Sequence, residues 1–572
     1  MKKFLLGILV GLALSALLVF GLALAALSAA ERPPSVRDGS TLLLSLNGEI
    51  PERAPVRVPL PAIEARRALT VHQVWDLMRK AAADKRIKAV VLLPEDLDVG
   101  WGRLEEIRHA LVEFRNSGKP LVAYLRSPGA REYYLATAAE SISMSREDLL
   151  NVKGLRAEVM FLKGTLDKLG VEFEIEHAGR YKDAGDMFTR SSMRPETREV
   201  LDSVLDRLFA DFIQAVSAGR SLEPAKVRAL IDEGPFLAAQ AKARGLVDAL
   251  EFEEEFFDRL KERLGQEEIR KLSCRDYVRV PAGALGLEGG TRIALVVAEG
   301  TIMRSDDGLE EEGLLASRSF GRLLAEIRED ERIKGVILRI NSPGGDAVAS
   351  DEILREARRL AEKKPLVVSM SDSAASGGYF IAMTGSPVVA YSHTFTGSIG
   401  VLYGKVTLRG LYDKLGVRKE LLTRGRFADL DSDYRPLSAE GREKLREGVQ
   451  AVYESFLRAV AEGRRRPLEE IRPLAEGRVW LGTQAKERGL VDELGGLDRA
   501  IELVKERAGI AATEKIRLVI YPRRRSLLEY LFRAGGETAL FDQVRNRLQG
   551  VDLRPLLRGG FLALPPYIVQ VR

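Results

Sequence analysis

The stretch DERIKGVILRINSPGGD, Asp330 to Asp346, runs through a β-branched apolar segment, Ile333 to Ile340, and ends abruptly in Asn341-Ser342-Pro343-Gly344-Gly345. A segment apolar at nearly every position reads as a strand buried on both faces rather than one with a solvent side. The residues that follow, SDEILREARRLAEKK, place Ile353, Leu354, Ala357, Leu360 and Ala361 on one helical stripe, and the next strand, PLVVSM, begins at Pro365. Strand, helix and strand in this order predict a βαβ unit in a largely parallel sheet. In such sheets ligands bind where strands end and helices begin. Gly344 and Gly345 stand at one such end, although a lone Pro-Gly-Gly by itself marks only a turn.

The same pattern is written twice. DKRIKAVVLL from Asp84 recurs as DERIKGVILR from Asp330, GKPLVAYL as KKPLVVSM, LDKLGV from Leu166 as YDKLGV from Tyr412, and QAKARGLVDAL from Gln240 as QAKERGLVDEL from Gln484. The offset is 246 residues between Asp84 and Asp330, 246 between Asp167 and Asp413, and 244 between Gly245 and Gly489. So long a period denotes a duplicated domain and not a solenoid. In the first copy Leu104, Ile107, Leu111 and Phe114 form the matching helical stripe ahead of PLVAYL. The expected architecture is α/β, two tandem βαβ domains. Its boundaries are an N-terminal segment over 1–30, a first repeat over 31–285, a second over 286–510 and a C-terminal tail over 511–572.

A second strand end lies in SMSDSAASGGYFIAM, Ser369 to Met383, where the chain is stripped to Ala374, Ala375, Ser376, Gly377 and Gly378. Close packing of backbone on backbone explains such a stretch. So does a nucleophile at a strand-to-helix turn, with Ser376 exposed and bare amides after it to hold an oxyanion. Two bare ends in one copy, one offering a hydroxyl and the other a backbone N–H, are what acyl transfer requires.

Composition narrows the alternatives. At 572 residues the chain exceeds one core, and its 45% hydrophobic and 30% charged content is that of an ordinary globular protein. A net charge of +5 is too small for this length to indicate a nucleic-acid partner. The clusters GRRRP (Gly463–Pro467) and PRRRS (Pro522–Ser526) read as local solvated or membrane-proximal faces. Cys274 is the single cysteine, which excludes an intrachain disulfide and a thiolate metal cluster. No metal-ligand spacing and no phosphate loop occurs, so no cofactor is expected. Of the four histidines, His72, His109 and His177 fall in no recognisable motif. His393, near TFTGSIG, is the one rival base for Ser376, with a polar loop residue as its ordinary reading.

After Lys2 and Lys3, the segment Phe4 to Ala30 carries no charge. It is long enough to cross a hydrocarbon core of about 30 Å as a helix, and roughly twice a signal peptide's apolar region. It is expected to be a retained anchor, cleavage near ALSAA being the rival, and the two lysines place everything beyond Ala30 on the extracytoplasmic side.

NSPGG after one strand, AASGGY after the next and TFTGSIGV (Thr394–Val401) downstream resemble the SppA family of bacterial signal peptide peptidases. The anchor, the duplication and the length match its long, two-domain form. The resemblance implies the fold shared with Clp-type serine proteases and crotonases, location in the bacterial inner membrane, remnant signal peptides as substrates, and assembly into a homotetramer. It implies a lysine base, which GRYKDA (Gly179–Ala184) supplies as Lys182; a second serine, Ser398, that orients the lysine; and oxyanion donors at Gly345 and Gly377. Composition could not have selected Lys182, since a lone lysine is by default a surface charge. The repeat lends independent support. The first copy carries Arg131 opposite Ser376, and the second carries Ala428 opposite Lys182, so each copy keeps one half of a pair. Asp346 stands where the family commonly has a small serine, which leaves the adjoining subsite open. The alternatives are a catalytically silent peptide-binding scaffold and a crotonase-type acyl-CoA enzyme.

Overall fold

The computed structural model describes residues 34–53, 68–304, 313–523 and 561–563, with four isolated positions before them. The expected anchor, Phe4–Ala30, lies outside these residues but for those positions, and among the described residues no helix is long and apolar enough to cross a membrane.

Each copy builds a sheet on six parallel strands in the same order, and in the second copy the sheet also extends from Leu366–Ala375 to the parallel strand Phe395–Gly397 and from there to Val479–Leu481, which pairs antiparallel. In the first copy the order runs Ala249–Leu250, Ser141–Met144, Leu121–Leu125, Ile87–Leu97, Ser40–Gly48, Arg270–Ser273. In the second it runs Glu493–Leu494, Val388–Ala390, Leu366–Ala375, Ile333–Ser342, Thr291–Glu299, Ile516–Tyr521. Ile516–Tyr521, within the expected tail 511–572, occupies the place in the second sheet that Arg270–Ser273 holds in the first. The two helical stripes face inward as their spacing requires. Leu104, Ile107, Leu111 and Phe114 are buried in the helix Trp101–Asn116, and Ile353, Leu354, Ala357 and Leu360 in the helix Ala347–Lys363.

The copies are joined through buried charge. Arg339, on the central strand of the second sheet, is 2.6 Å from Glu52 of the first copy, and both side chains are 3% exposed. Its guanidinium also donates to Ser369 Oγ at 2.9 Å and Tyr391 Oη at 3.0 Å, while Ser371 Oγ donates to Glu52 at 2.5 Å. Asp372 receives the N-terminus of the helix Trp101–Asn116, accepting from the Arg103 backbone N–H at 2.7 Å and from its guanidinium. A carboxylate there satisfies an orphan amide and opposes the helix dipole.

A third sheet mixes the two copies and positions the site. Its order is Leu314–Ala316, Thr301–Met303, Gly345–Asp346, Phe561–Ala563, Val401–Thr407, Glu172–Ala178. The final strand belongs to the first copy and pairs antiparallel with Val401–Thr407 of the second, from Val401 opposite Ala178 to Thr407 opposite Glu172. The turn after Ala178 is thereby delivered into the second copy.

Candidate active site

Ser376 ends the strand Leu366–Ala375 and precedes the short helix Gly377–Ile381. Its backbone sits at φ 55°, ψ −117°, a conformation few non-glycine residues adopt and one that thrusts the side chain out of the turn. The Ser376 amide donates to Gly397 O at 2.8 Å, which fixes the turn against the neighbouring strand Phe395–Gly397. Ser398, one residue beyond that strand, also has positive φ, 50°.

Lys182 reaches this point from the other copy. Its turn is held from outside: the Tyr181 amide donates to Glu476 O at 2.7 Å and the Arg180 amide to the Glu476 carboxylate at 2.9 Å. Gly477 N in turn donates to Ile399 O at 2.8 Å, and Ser398 N to Arg478 O at 2.7 Å. The lysine Nζ lies 2.7 Å from Ser376 Oγ, 3.0 Å from Ser398 Oγ and 3.0 Å from the Ser398 carbonyl oxygen. All three side chains are buried. Burial takes the ammonium out of water and pushes the Lys182 pKa well below the usual lysine value, with the nearby Asp183 carboxylate pulling the other way.

Asp183 was not marked by the sequence. It accepts from Thr197 Oγ1 at the start of the helix Pro195–Arg220, and burial pushes its own pKa up to about 6. Its second oxygen is buried without a hydrogen-bond partner among the described residues. Glu476 is likewise a residue no local pattern would have singled out.

Gly345 and Gly377 are brought face to face. A Cβ on Gly377 would stand 3.2 Å from Gly345 N and 2.6 Å from Ser350 Oγ, and one on Gly345 would collide with Ile302 O at 2.0 Å. With φ 153° at Gly345, only glycine fits there. Asp346 is engaged elsewhere: its carboxylate caps the helix Ala347–Lys363 through Ala349 N at 2.8 Å and accepts from Arg304 Nε at 2.9 Å.

The remaining candidate, His393, is placed away from Ser376. Its Nε2 is 3.1 Å from Asp211, and Glu105 lies 3.2 Å from Nδ1, near enough for an ion pair but not aligned for a hydrogen bond. Burial alone would lower its pKa, but the bond to Asp211 and the charge of Glu105 outweigh it and raise the value. A histidine whose protonated form is favoured by two carboxylates is a poor proton acceptor. In the first copy the turn corresponding to Ser376 is filled. Arg131 donates to Leu97 O at 3.1 Å, and Glu132 accepts from the amides of Leu97 at 2.7 Å and Gly129 at 2.9 Å.

The arrangement of lysine, two serines and two glycines invites comparison with known proteases. The profile of peptidase family S49 matches residues 113–267 and 358–511, one region in each copy, the first containing Lys182 and the second Ser376 and Ser398. A chloroplastic protein of Arabidopsis thaliana described as "Serine protease SPPA" is 37% identical over 490 residues, covering 85% of this chain and 71% of that one. "Protease 4" of Salmonella typhi is 33% identical over 491 residues, 82% of this chain and 78% of its own length. "Protease 4" of Haemophilus influenzae is 31% identical over 471 residues, 78% and 75% respectively. With both copies matched and relatives aligned over most of their length, the chain belongs to peptidase family S49.

Proposed function

We propose that the chain is a serine endopeptidase in which Lys182 is the general base for Ser376, acting across the two copies. The observation that carries this reading is the 2.7 Å contact between Lys182 Nζ and Ser376 Oγ inside a fully buried site. A lysine at its reference pKa of about 10.4 stays charged near neutrality and cannot take a proton; desolvation makes the neutral amine available. Ser376 Oγ then gives its proton to Lys182 Nζ as it attacks the scissile carbonyl carbon. The carbonyl oxygen becomes an oxyanion held by the backbone N–H groups of Gly345 and Gly377. Lys182 returns the proton to the departing amine, and the acyl group left on Ser376 is released by a water activated in the same way. Ser398 Oγ and carbonyl hold the amine in register for both transfers.

The substrates proposed are remnant signal peptides and similar apolar peptides, met at a membrane to which Phe4–Ala30 anchors the chain, with the catalytic domains on the extracytoplasmic side of a bacterial inner membrane and the chains assembled as a homotetramer. A serine-directed fluorophosphonate tests the core of this reading. It should label Ser376, and Ser376→Ala should lose both the label and peptide hydrolysis by about a thousandfold or more while retaining the wild-type fold, since removal of one hydroxyl costs little stability. Undiminished hydrolysis by Ser376→Ala refutes it. Recovery of the mature chain in the membrane fraction after a high-salt wash tests the anchor, because an inserted helix is not released by screening of charge.

A further inference from the structure

The strand that ends at Ser376 is interrupted just before it gets there. Up to Met370 it pairs in step with Ile333–Ser342, Ile340 lying opposite Met370, but the next pair is Ser342 with Ala374. Ser371, Asp372 and Ser373 therefore stand opposite Asn341 alone, and the chain bulges. At the same place the strand changes its outer neighbour, from Val388–Ala390, which pairs with Val368, Ser369 and Met370, to Phe395–Gly397, which pairs with Ser373, Ala374 and Ala375. In the first copy, which carries Arg131 opposite Ser376, the matching strands pair in step from Val90 opposite Leu121 to Leu92 opposite Ala123. Bulges beside active sites re-aim the side chains that follow them.

What grips this bulge comes from the first copy. Glu52 accepts from Ser371 Oγ, and the amide and guanidinium of Arg103 both donate to the Asp372 carboxylate. That carboxylate enters a gap left by glycines at the start of the helix Trp101–Asn116. A Cβ on Gly100 would stand 2.2 Å from Asp372 Oδ2, and one on Gly102 would stand 3.1 Å from Asp372 Oδ1 and from the Ser371 carbonyl oxygen. Gly100 has φ −70°, open to any residue, so glycine is needed there for space and not for its backbone freedom. Asn341 completes the grip: its Oδ1 accepts from the Ser373 amide at 3.3 Å, and its Nδ2 donates to Glu299 at 3.1 Å. Glu299 in turn accepts from the amides of Glu52 at 3.2 Å and Arg53 at 2.9 Å. The two bare strand ends are thus tied to each other and to the first copy.

We propose that Asp372, seated on Arg103 and on the glycine-bared helix start, is a positioning residue that sets Ser376 against Lys182 and the amides of Gly345 and Gly377. The proposal rests on the reading of Ser376 as nucleophile. The first copy then acts twice: it delivers the base through Glu172–Ala178, and it sets the position of the nucleophile through the bulge. Both reacting groups take their place from one body. A misplacement of about 1 Å can cost about a hundredfold in rate. A group acting in this way governs attack by Ser376. It leaves substrate binding and the protonation of Lys182 as they are, because its carboxylate is taken up by Arg103 and not by the amine.

The test uses the full chain, Asp372→Asn and Gly100→Ala, with a fluorogenic apolar peptide, a small fluorophosphonate and calorimetry, the rates being read well below the lowest unfolding temperature. Asp372→Asn keeps the size of the side chain and removes the charge that holds the guanidinium. Gly100→Ala keeps every charge and puts a methyl where the carboxylate sits. Each should lower kcat at least about tenfold and slow the labelling of Ser376 by the same factor. KM should stay within about twofold of wild type, and the acidic limb of kcat/KM against pH should stay in place. Variants that unfold at lower temperature yet keep the wild-type kcat and labelling rate overturn the positioning role and leave the nucleophile standing, the bulge then being a structural joint. A loss confined to KM, or a displaced acidic limb, also overturns it. Absence of label in the wild type refutes the nucleophile and the positioning residue together.

Discussion

Lys182 Nζ and Ser376 Oγ are 2.7 Å apart although 194 residues separate them in the chain, and each comes from a different copy of the duplication. The pair exists only when the copies are docked, so the proposed chemistry depends on the contacts that dock them. The strand Glu172–Ala178 carries the lysine into the second copy, and Glu476 with Ile399 holds its turn in place. Lys182, Ser376 and Ser398 are buried where the copies meet, which strengthens the electrostatics between them and favours the neutral amine.

If Lys182 is the base for Ser376, activity should rise with pH through the depressed pKa of Lys182, because only a neutral amine can accept a proton. The Asp183 carboxylate, the one influence opposing desolvation, holds that pKa up. Asp183→Asn removes the charge while keeping the size of the side chain. The acidic limb of kcat/KM against pH should therefore move to lower pH in the variant. A limb that stays in place, or moves upward, contradicts this role for Asp183.

Arg339 and Glu52 form an ion pair with almost no access to water. Removing Arg339 leaves Glu52 a buried charge without its ion-pair partner, at a cost of about 3–5 kcal/mol, whereas removing Glu52 leaves Arg339 facing Glu106 at 3.5 Å. Arg339→Met should thus lower the unfolding temperature substantially, and Arg339→Met with Glu52→Gln should recover much of the loss. Calorimetry of the wild type, both single variants and the double variant checks this; an Arg339→Met variant as stable as wild type would contradict it.

The bond to Asp211 and the charge of Glu105 favour the protonated form of His393, so its folded pKa lies above the unfolded value of 6.5. The stability it contributes is fully present below pH about 6.5 and is lost as pH rises through the folded value. The gap in unfolding temperature between wild type and His393→Gln should therefore be widest at pH 6 and narrow toward pH 9. A gap that stays constant or widens with pH contradicts the charged state. Because His393 docks the helices Trp101–Asn116 and Pro195–Arg220 onto the second copy, the effect should appear in stability before it appears in rate.

Local patterns made part of this legible in the sequence. The offset repeat, the β-branched run Ile333–Ile340 and the helical stripe through Ile353, Leu354, Ala357 and Leu360 are written in adjacent residues, and the two sheets follow from them. Ser376 stood out because a strand that collapses to alanine and glycine needs a reason. Lys182 did not, since nothing near it differs from a surface lysine; only the family resemblance and the complementary losses at Arg131 and Ala428 pointed to it. The third sheet was invisible because its pairing of Glu172–Ala178 with Val401–Thr407 joins segments far apart in the chain. Glu52, Arg339 and Asp183 carry no local pattern that sets them apart from other charged residues, and they are buried in the fold. In the apolar end FLALPPYIVQ, broken by Pro565 and Pro566, Phe561–Ala563 becomes an inner strand.

The most direct measurement is the rate of peptide hydrolysis across pH for wild type, Lys182→Ala and Lys182→Arg. Arginine keeps the positive charge and the bulk of the side chain but cannot be deprotonated in a protein, so it can neutralise charge but cannot serve as a base. If Lys182 takes the proton of Ser376, both variants fall to the same residual rate at every pH while wild type shows an acidic limb. A Lys182→Arg enzyme that retains activity with the wild-type pH profile would remove Lys182 as the base and contradict the dyad.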